Sequence, residues 1–316
     1  MLASLLLGHA AANRGSTQSS RRVARVRRAL LVPAVLLALL SGACSSPTDR
    51  PATLGLSSAD RTASAAPAAL PSYDHVVVVV FENHSYSQIK EGAPYFVRLA
   101  DHGAEMTRSH AVTHPSEPNY LALFGGSTFD VGSDACPLSL HGGHLARQLR
   151  RTGHSFRAYS EGLPSAGYTG CTSGRYARKH APWVNFSSFR QGTHRPYSSF
   201  PSDYSSLPDV AFVIPDLCSD MHDCSVRHGN RWLKSHFKDY VAWAREHDSL
   251  LLVTFDEDDD GPTNHIYTAL AGAHVQTGNY AQRINHYNVL HTIEALFGLP
   301  ALRNAADAPP IREIWN

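Results

Sequence analysis

The chain has 316 residues, enough for one large α/β domain or two small ones, and its 43% hydrophobic content can fill a core, which excludes a disordered protein. Lysine plus arginine (28) nearly cancels aspartate plus glutamate (27), so affinity resting on phosphate neutralisation is not expected and nucleic acid is excluded as a partner. An arginine cluster within the first 28 residues leaves the rest mildly acidic, and 19 histidines supply proton carriers and metal ligands, most of them as ordinary surface or structural residues.

Residues 1–44 read as an export signal. Arg21, Arg22, Arg25, Arg27 and Arg28 form a basic region, Ala29 to Leu40 an apolar one, and SGAC (41–44) sets small residues at a cleavage point. The twelve residues of the apolar run are too few to span a bilayer, which takes about 20. Cleavage before Cys44 leaves a cysteine open to lipid attachment, the only membrane contact expected, although Ser41 stands where lipoprotein signals carry an aliphatic residue. Ordinary secretory cleavage after Ala43 is the alternative. Residues 45–72 are Ser/Ala/Pro-rich and read as a flexible tether, followed by one domain over 73–316.

The run HVVVVVF (75–81) has the β-branched continuity of a strand buried on both faces. YFVRLADHG (95–103) and HLARQLRRTG (144–153) are short amphipathic helices stopped by glycine, and SFRAYS (155–160) and DVAFVIPD (209–216) are further strands. Residues 163–209, rich in Ser, Gly, Pro and Tyr, form an irregular excursion that serves as a lid or a pocket wall. A helix over 230–247 carries Trp232, Leu233, Phe237, Tyr240, Val241 and Ala244 on one face. Strands at 250–255 and 265–275 follow, and a helix over 285–300 ends at Gly298 and Pro300. Alternation at βαβ spacing predicts an α/β fold with a mostly parallel central sheet between helices on both faces. Beyond Cys44, the even count of Cys136, Cys171, Cys218 and Cys224 suggests two disulfides in an exported chain. Nearest-neighbour pairing is preferred among the three connectivities; zinc binding is the rival, without CxxC spacing to support it.

Ligands in open α/β sheets bind beyond the carboxyl ends of strands. The first strand ends in FENHS, delivering Glu82 and Asn83, and FDEDDDG delivers Asp256, Glu257 and Asp258 more than 170 residues later. Acidic tips brought together in a cleft repel, and a bound cation is the natural compensation. A solvated acidic turn is the plainer reading of DEDDD alone. An EF-hand is not: Tyr267 stands where its bidentate Glu is required, and a strand precedes the loop. THPSEPNY (113–120) then offers Ser116 as a hydroxyl activated by the cation, with Asn119 as a hydrogen-bond donor to a developing anion. The octapeptide alone equally fits Ser116 as a cap for a helix starting near Asn119. His222, within DLCSDMHDC (216–224), would be clamped by a Cys218–Cys224 loop, while RKH (178–180) and NHI (264–266) add weaker cationic groups.

Taken in order, VVVVVFENHSYSQI, THPSEPNYLALFGG, YARKHAPW, DLCSDMHDCSV, TFDEDDDGPTNHI and HYNVLHTIEALFGLP resemble the bacterial phosphoesterase family, over about residues 74–300. That family holds secreted acid phosphatases and phospholipases C within the alkaline-phosphatase-like superfamily. The resemblance implies an alkaline-phosphatase-like core, a metal pair at Glu82 and Asn83, a second at Asp256 and Glu257, Ser116 as both nucleophile and metal ligand, Asn119 as a phosphate contact, and His180 and His222 holding phosphate oxygens. Asn230 departs from the aspartate of many relatives. The oxygen-rich ligands favour calcium, magnesium or manganese over zinc. The short chain looks more like the compact acid phosphatases, including those acting on phosphoinositides, so the expected partner is a small phosphorylated substrate, with a phospholipid headgroup among the candidates. The alternatives are a phospholipase C cleaving diesters and a metal-dependent surface-binding lipoprotein without catalysis.

Overall fold

The computed structural model describes residues 70–316. The export signal, Cys44 and the tether as far as residue 69 lie outside the described residues. Strands β1 (His75–Phe81), β2 (Ala104–Met106), β3 (Phe156–Ser160), β6 (His194–Pro196), β7 (Val210–Ile214), β8 (Ser249–Phe255), β9 (Thr268–Gly272) and β10 (Gly278–Tyr280) form one sheet in the order β10-β2-β9-β8-β1-β7-β3-β6. A separate two-stranded ribbon holds β4 (Thr172–Ser173) and β5 (Tyr176–Ala177). The sheet is mostly parallel as predicted, and β9 alone runs against both its neighbours.

The valine run explains why β1 is central. Val76, Val78 and Val80 pack on one face with α3 (Ser116–Gly125), α4 (Leu145–Arg151) and α6 (His286–Leu296). Val77, Val79 and Phe81 pack on the other with α1 (Tyr86–Gly92), α2 (Pro94–Ala100) and α5 (Val226–Ala244). Alternation along a strand sends successive side chains to opposite faces, so a run apolar at every position is stable only where helices cover both.

Three expectations are corrected in detail. Helix α3 begins at Ser116, ahead of Asn119. Pro118 sits in its first turn, where the missing N–H would have no intrahelical partner, and so does not delay the start. Helix α5 begins at Val226 because Gly229 and Asn230 are helical, the side-chain oxygen of Asn230 accepting the Tyr95 backbone N–H at 2.7 Å. The excursion over 163–209 is no free lid: β6 pairs with β3, and Trp183 and Phe186 are buried in the core. It does form a pocket wall. Both disulfides follow the preferred pairing, Cys136–Cys171 and Cys218–Cys224.

Candidate active site

The parallel pairing of β1 with β8 puts Phe81 opposite Phe255, so the next residue of each chain, Glu82 and Asp256, emerges at the same carboxyl edge. Asp256 N donates to Phe81 O at 2.9 Å, and Asn83 N donates to Asp256 Oδ1 at 3.1 Å, tying the tips together. Asn83 adopts φ +47°, a left-handed conformation that asparagine tolerates better than most residues, and this turns the chain away from the strand.

The first residue of α3 meets these tips. Ser116 Oγ lies 3.1 Å from Glu257 Oε1, 3.2 Å from Glu82 Oε2 and 3.5 Å from Asn83 Oδ1. Glu82 is also held by the Tyr120 hydroxyl, one turn along α3, which donates to its other oxygen. His114 Nδ1 contacts Glu257 Oε2 at 2.6 Å. A cavity of about 270 Å³ opens onto Ser116, Asn83 and Glu257 and is walled by Lys179, His222 and Asp134.

Burial, then Asp256, then Asp220 push the Glu82 carboxyl well above the usual carboxylate range, and burial likewise raises Asp256. Burial followed by Asp256 lifts Glu257 to about 7. The crowding costs energy unless positive charge offsets it.

Two observations show that the donors suit a cation. The Ser116 hydroxyl has one proton and can donate to only one of its three oxygen neighbours at a time, so when the carboxyls are ionised the other contacts are oxygens held close without a proton between them. Oxygens at right angles around a divalent cation, with bonds of about 2.1–2.5 Å, lie about 3.0–3.5 Å apart, which matches the spacing around Oγ. In addition, Asp256 Oδ2, Asp220 Oδ2 and His180 Nε2 are buried without a hydrogen-bond partner. Glu82, His180 and Asp220 form a buried group, donors within 4.8 Å of one another, that is compatible with a metal ion.

The structure brings Glu82, Asn83, Ser116, Asp256 and Glu257 together and sets His222 in the cavity wall. It places two other predicted residues elsewhere. Asn119 is fully buried and points into its own turn: Oδ1 accepts the N–H groups of Val112 (3.0 Å) and Thr113 (3.1 Å), while Nδ2 donates to Thr113 O (2.8 Å) and Pro115 O (3.1 Å). His180 is buried beneath the cavity, 3.2 Å from Glu82 and 3.4 Å from Asp220, with its ring stacked on Tyr120. Burial and the neighbouring Lys179 hold its pKa well below the usual range, so the ring is neutral. Sequence reading missed Asp220, Asp134 and His114, and passed over Lys179 as one weak cation of RKH. Asp220 and His114 sit beside singled-out motifs and carry the right chemistry, whereas nothing local marks Asp134.

The mixed sheet carries converging carboxylates and a serine at its carboxyl edge, and comparison with known proteins gives the class of the chain. The chain belongs to the phosphoesterase family, whose model matches residues 89–300, and is a phosphoric ester hydrolase. It is 45% identical over 310 residues to a phosphatidylinositol-3-phosphatase of Mycobacterium tuberculosis, covering 96% of this chain and 99% of the relative. It is 31% identical over 225 residues to an acid phosphatase of Aspergillus fumigatus, covering 65% of this chain and only 50% of that enzyme. A Vibrio parahaemolyticus protein of the alkaline phosphatase superfamily shares the fold, with a TM-score of 0.54 at 12% identity over 77% of this chain and 72% of that one.

Proposed function

We propose that the domain over 73–316 is a metal-dependent acid phosphatase that hydrolyses phosphate monoesters through Ser116. The observation that carries this is the convergence of Glu82, Asn83 and Glu257 oxygens on a buried Ser116 Oγ that also borders the cavity. A divalent cation bound by Glu82, Asn83, Ser116, Asp256 and Glu257 would supply charge neutralisation and lower the pKa of the serine hydroxyl. The serine proton has acceptors in reach at Glu257 Oε1 and Glu82 Oε2. Oγ attacks phosphorus from the cavity floor as the bond to the ester oxygen breaks, the leaving oxygen takes a proton from water in the open cavity, and a second water cleaves the phosphoseryl intermediate, releasing phosphate and restoring the serine hydroxyl. Lys179, held at the wall by Asp134 and His222, faces the transferred group, so the reaction proceeds by positioning and charge compensation, as phosphoryl transfer requires. Asn119 acts indirectly, as a positioning residue, by fixing the turn that presents Ser116.

The Mycobacterium tuberculosis relative supports a phosphoinositide 3-phosphate as substrate, tested by phosphate release from vesicles containing it beside a soluble monoester. Export before folding agrees with the basic, apolar and small-residue order of residues 1–44 and with two disulfides, and the mass of the mature N-terminus distinguishes an acylated Cys44 from a free secreted form. Among the described residues, no helix is long and apolar enough to cross a membrane. Ser116→Ala should abolish turnover of p-nitrophenyl phosphate with the fold intact; retained turnover removes Ser116 as nucleophile.

A further inference from the structure

Among the described residues, Lys179 is the one lysine that borders the cavity. Its Nζ lies 2.9 Å from Asp134 Oδ2 and 3.3 Å from His222 Nε2. Both partners are fixed independently. The other oxygen of Asp134 accepts the backbone N–H of Glu117 at 3.0 Å, which locks the lysine anchor to the first turn of α3 and therefore to Ser116. His222 Nδ1 lies 2.8 Å from Asp223 Oδ1, and its backbone N–H donates to Asp220 Oδ1 at 2.8 Å. In the tautomer whose Nδ1 proton faces Asp223, Nε2 accepts from the lysine. The Cys136–Cys171 and Cys218–Cys224 bridges brace the two loops that carry these partners. An ammonium group has three donors and no acceptor. Two are taken by Asp134 and His222, which leaves one for a group bound in the cavity that Lys179 lines.

We propose that Lys179 is the residue that selects monoesters over diesters, its third N–H binding a non-bridging phosphoryl oxygen that a diester carries as an alkoxy group. The proposal rests on the reading of this cavity as the phosphoryl-transfer site. A phosphate monoester loses its second proton with a pKa of about 6 and is a dianion near neutral pH, whereas a diester keeps a single charge. A compact ammonium held beside the transferred group responds to that extra charge, and a hydrogen bond from a charged donor is stronger than one from a neutral group. Asp134 orients the lysine without touching the substrate and is a positioning residue. The Asp134 carboxylate, 2.9 Å from Nζ, gives the ammonium its counter-charge.

The test compares metal-replete wild type, Lys179→Met and Lys179→Arg on p-nitrophenyl phosphate and bis-p-nitrophenyl phosphate near neutral pH. Loss of one preorganised donor to a phosphoryl oxygen lowers kcat/KM about 10²–10³-fold, so Lys179→Met should show that loss on the monoester and less than about tenfold on the diester. Lys179→Arg, which keeps the charge, should recover much of the monoester rate. If diester turnover falls below detection, calorimetric affinities for methylphosphonate dianion and dimethyl phosphate monoanion replace the rates, with the same selective loss expected. Should Lys179→Met not fold, Lys179→Gln keeps two donors for Asp134 and His222 and carries the same expectation. Equal losses for both substrates, or an unchanged ratio, overturn the proposal while leaving the phosphatase reading standing. A folded, metal-replete wild type that turns over neither ester overturns that reading, and this proposal with it.

Discussion

Replacing Asn119 by alanine separates two roles for one buried side chain. The resemblance implies a phosphate contact, but the structure gives all four of its hydrogen bonds to the turn at 112–115. In Asn119→Ala, Thr113 O keeps a second donor, Asn264 Nδ2 at 2.8 Å, so the groups left without a side-chain partner are the N–H of Val112, the N–H of Thr113 and the carbonyl of Pro115. A buried group stripped of its partner costs about 1–3 kcal/mol. These three are only half-buried and regain some water, which brings the sum to about 2–4 kcal/mol. For a domain of this size that corresponds to a fall in Tm of roughly 5–12 °C. Thermal unfolding followed by differential scanning calorimetry reads it directly, beside p-nitrophenyl phosphate kinetics on the same preparation. Turnover should fall as well, because Ser116 follows the turn directly and a displacement of about 1 Å can cost about a hundredfold. An unchanged Tm with lost activity would refute this reasoning and restore the asparagine as a substrate contact.

Three further perturbations test other parts of the structure. Glu294 is fully buried on α6, with Oε1 accepting Leu302 N at 3.0 Å, and burial raises its pKa from 4.5 to about 8. Between those values the unfolded chain has lost the proton that the folded chain retains, so this group makes stability fall with rising pH by up to about 1.4 kcal/mol per unit. Glu294→Gln should flatten that slope in urea titrations run at about pH 5 and pH 8, and a parallel slope in the variant would show that the group does not carry it. Removing the Cys136–Cys171 bridge, which spans 35 residues, should cost about 3–4 kcal/mol in denaturant unfolding and weaken monoester turnover by loosening the Asp134 loop; unaltered stability speaks against it. Chelation should lower both Tm and activity by leaving the clustered carboxylates uncompensated, with calcium, magnesium or manganese restoring both better than zinc. A protein shown to be metal-free by elemental analysis but unchanged in Tm and turnover would exclude the cation.

The parts of the fold legible in the sequence were those whose cause is local. A β-branched run with no polar position has few stable placements, and the five consecutive valines from Val76 to Val80 therefore mark a central strand without outside information. The same logic located the site, because a strand buried on both faces that ends abruptly in Glu82 and Asn83 brings charge to an edge where it can be solvated or ligated. Element starts were less legible. Pro118 and Gly229 are poor helix formers, yet both lie within the first four residues of a helix, where the penalty is small.

What stayed illegible depends on contacts between loops distant in sequence. In RKH, Lys179 and His180 look equivalent, but they lie on a single 3₁₀ turn, where consecutive side chains point about 120° apart. Once Tyr120 stacks against His180 and carries it under the cavity, Lys179 is turned toward the wall where Asp134 and His222 receive it. Neither step can be read from the tripeptide, since each is fixed by side chains more than 40 residues away. The same holds for Asn119. Its spacing from Ser116 is that of two residues on one helical face, which permits a shared ligand, but the carbonyls of Thr113 and Pro115 lie within reach of its amide and take the hydrogens first. Spacing shows which side chains could meet at a substrate; nearby backbone groups that can bond them decide which of them remain free to do so.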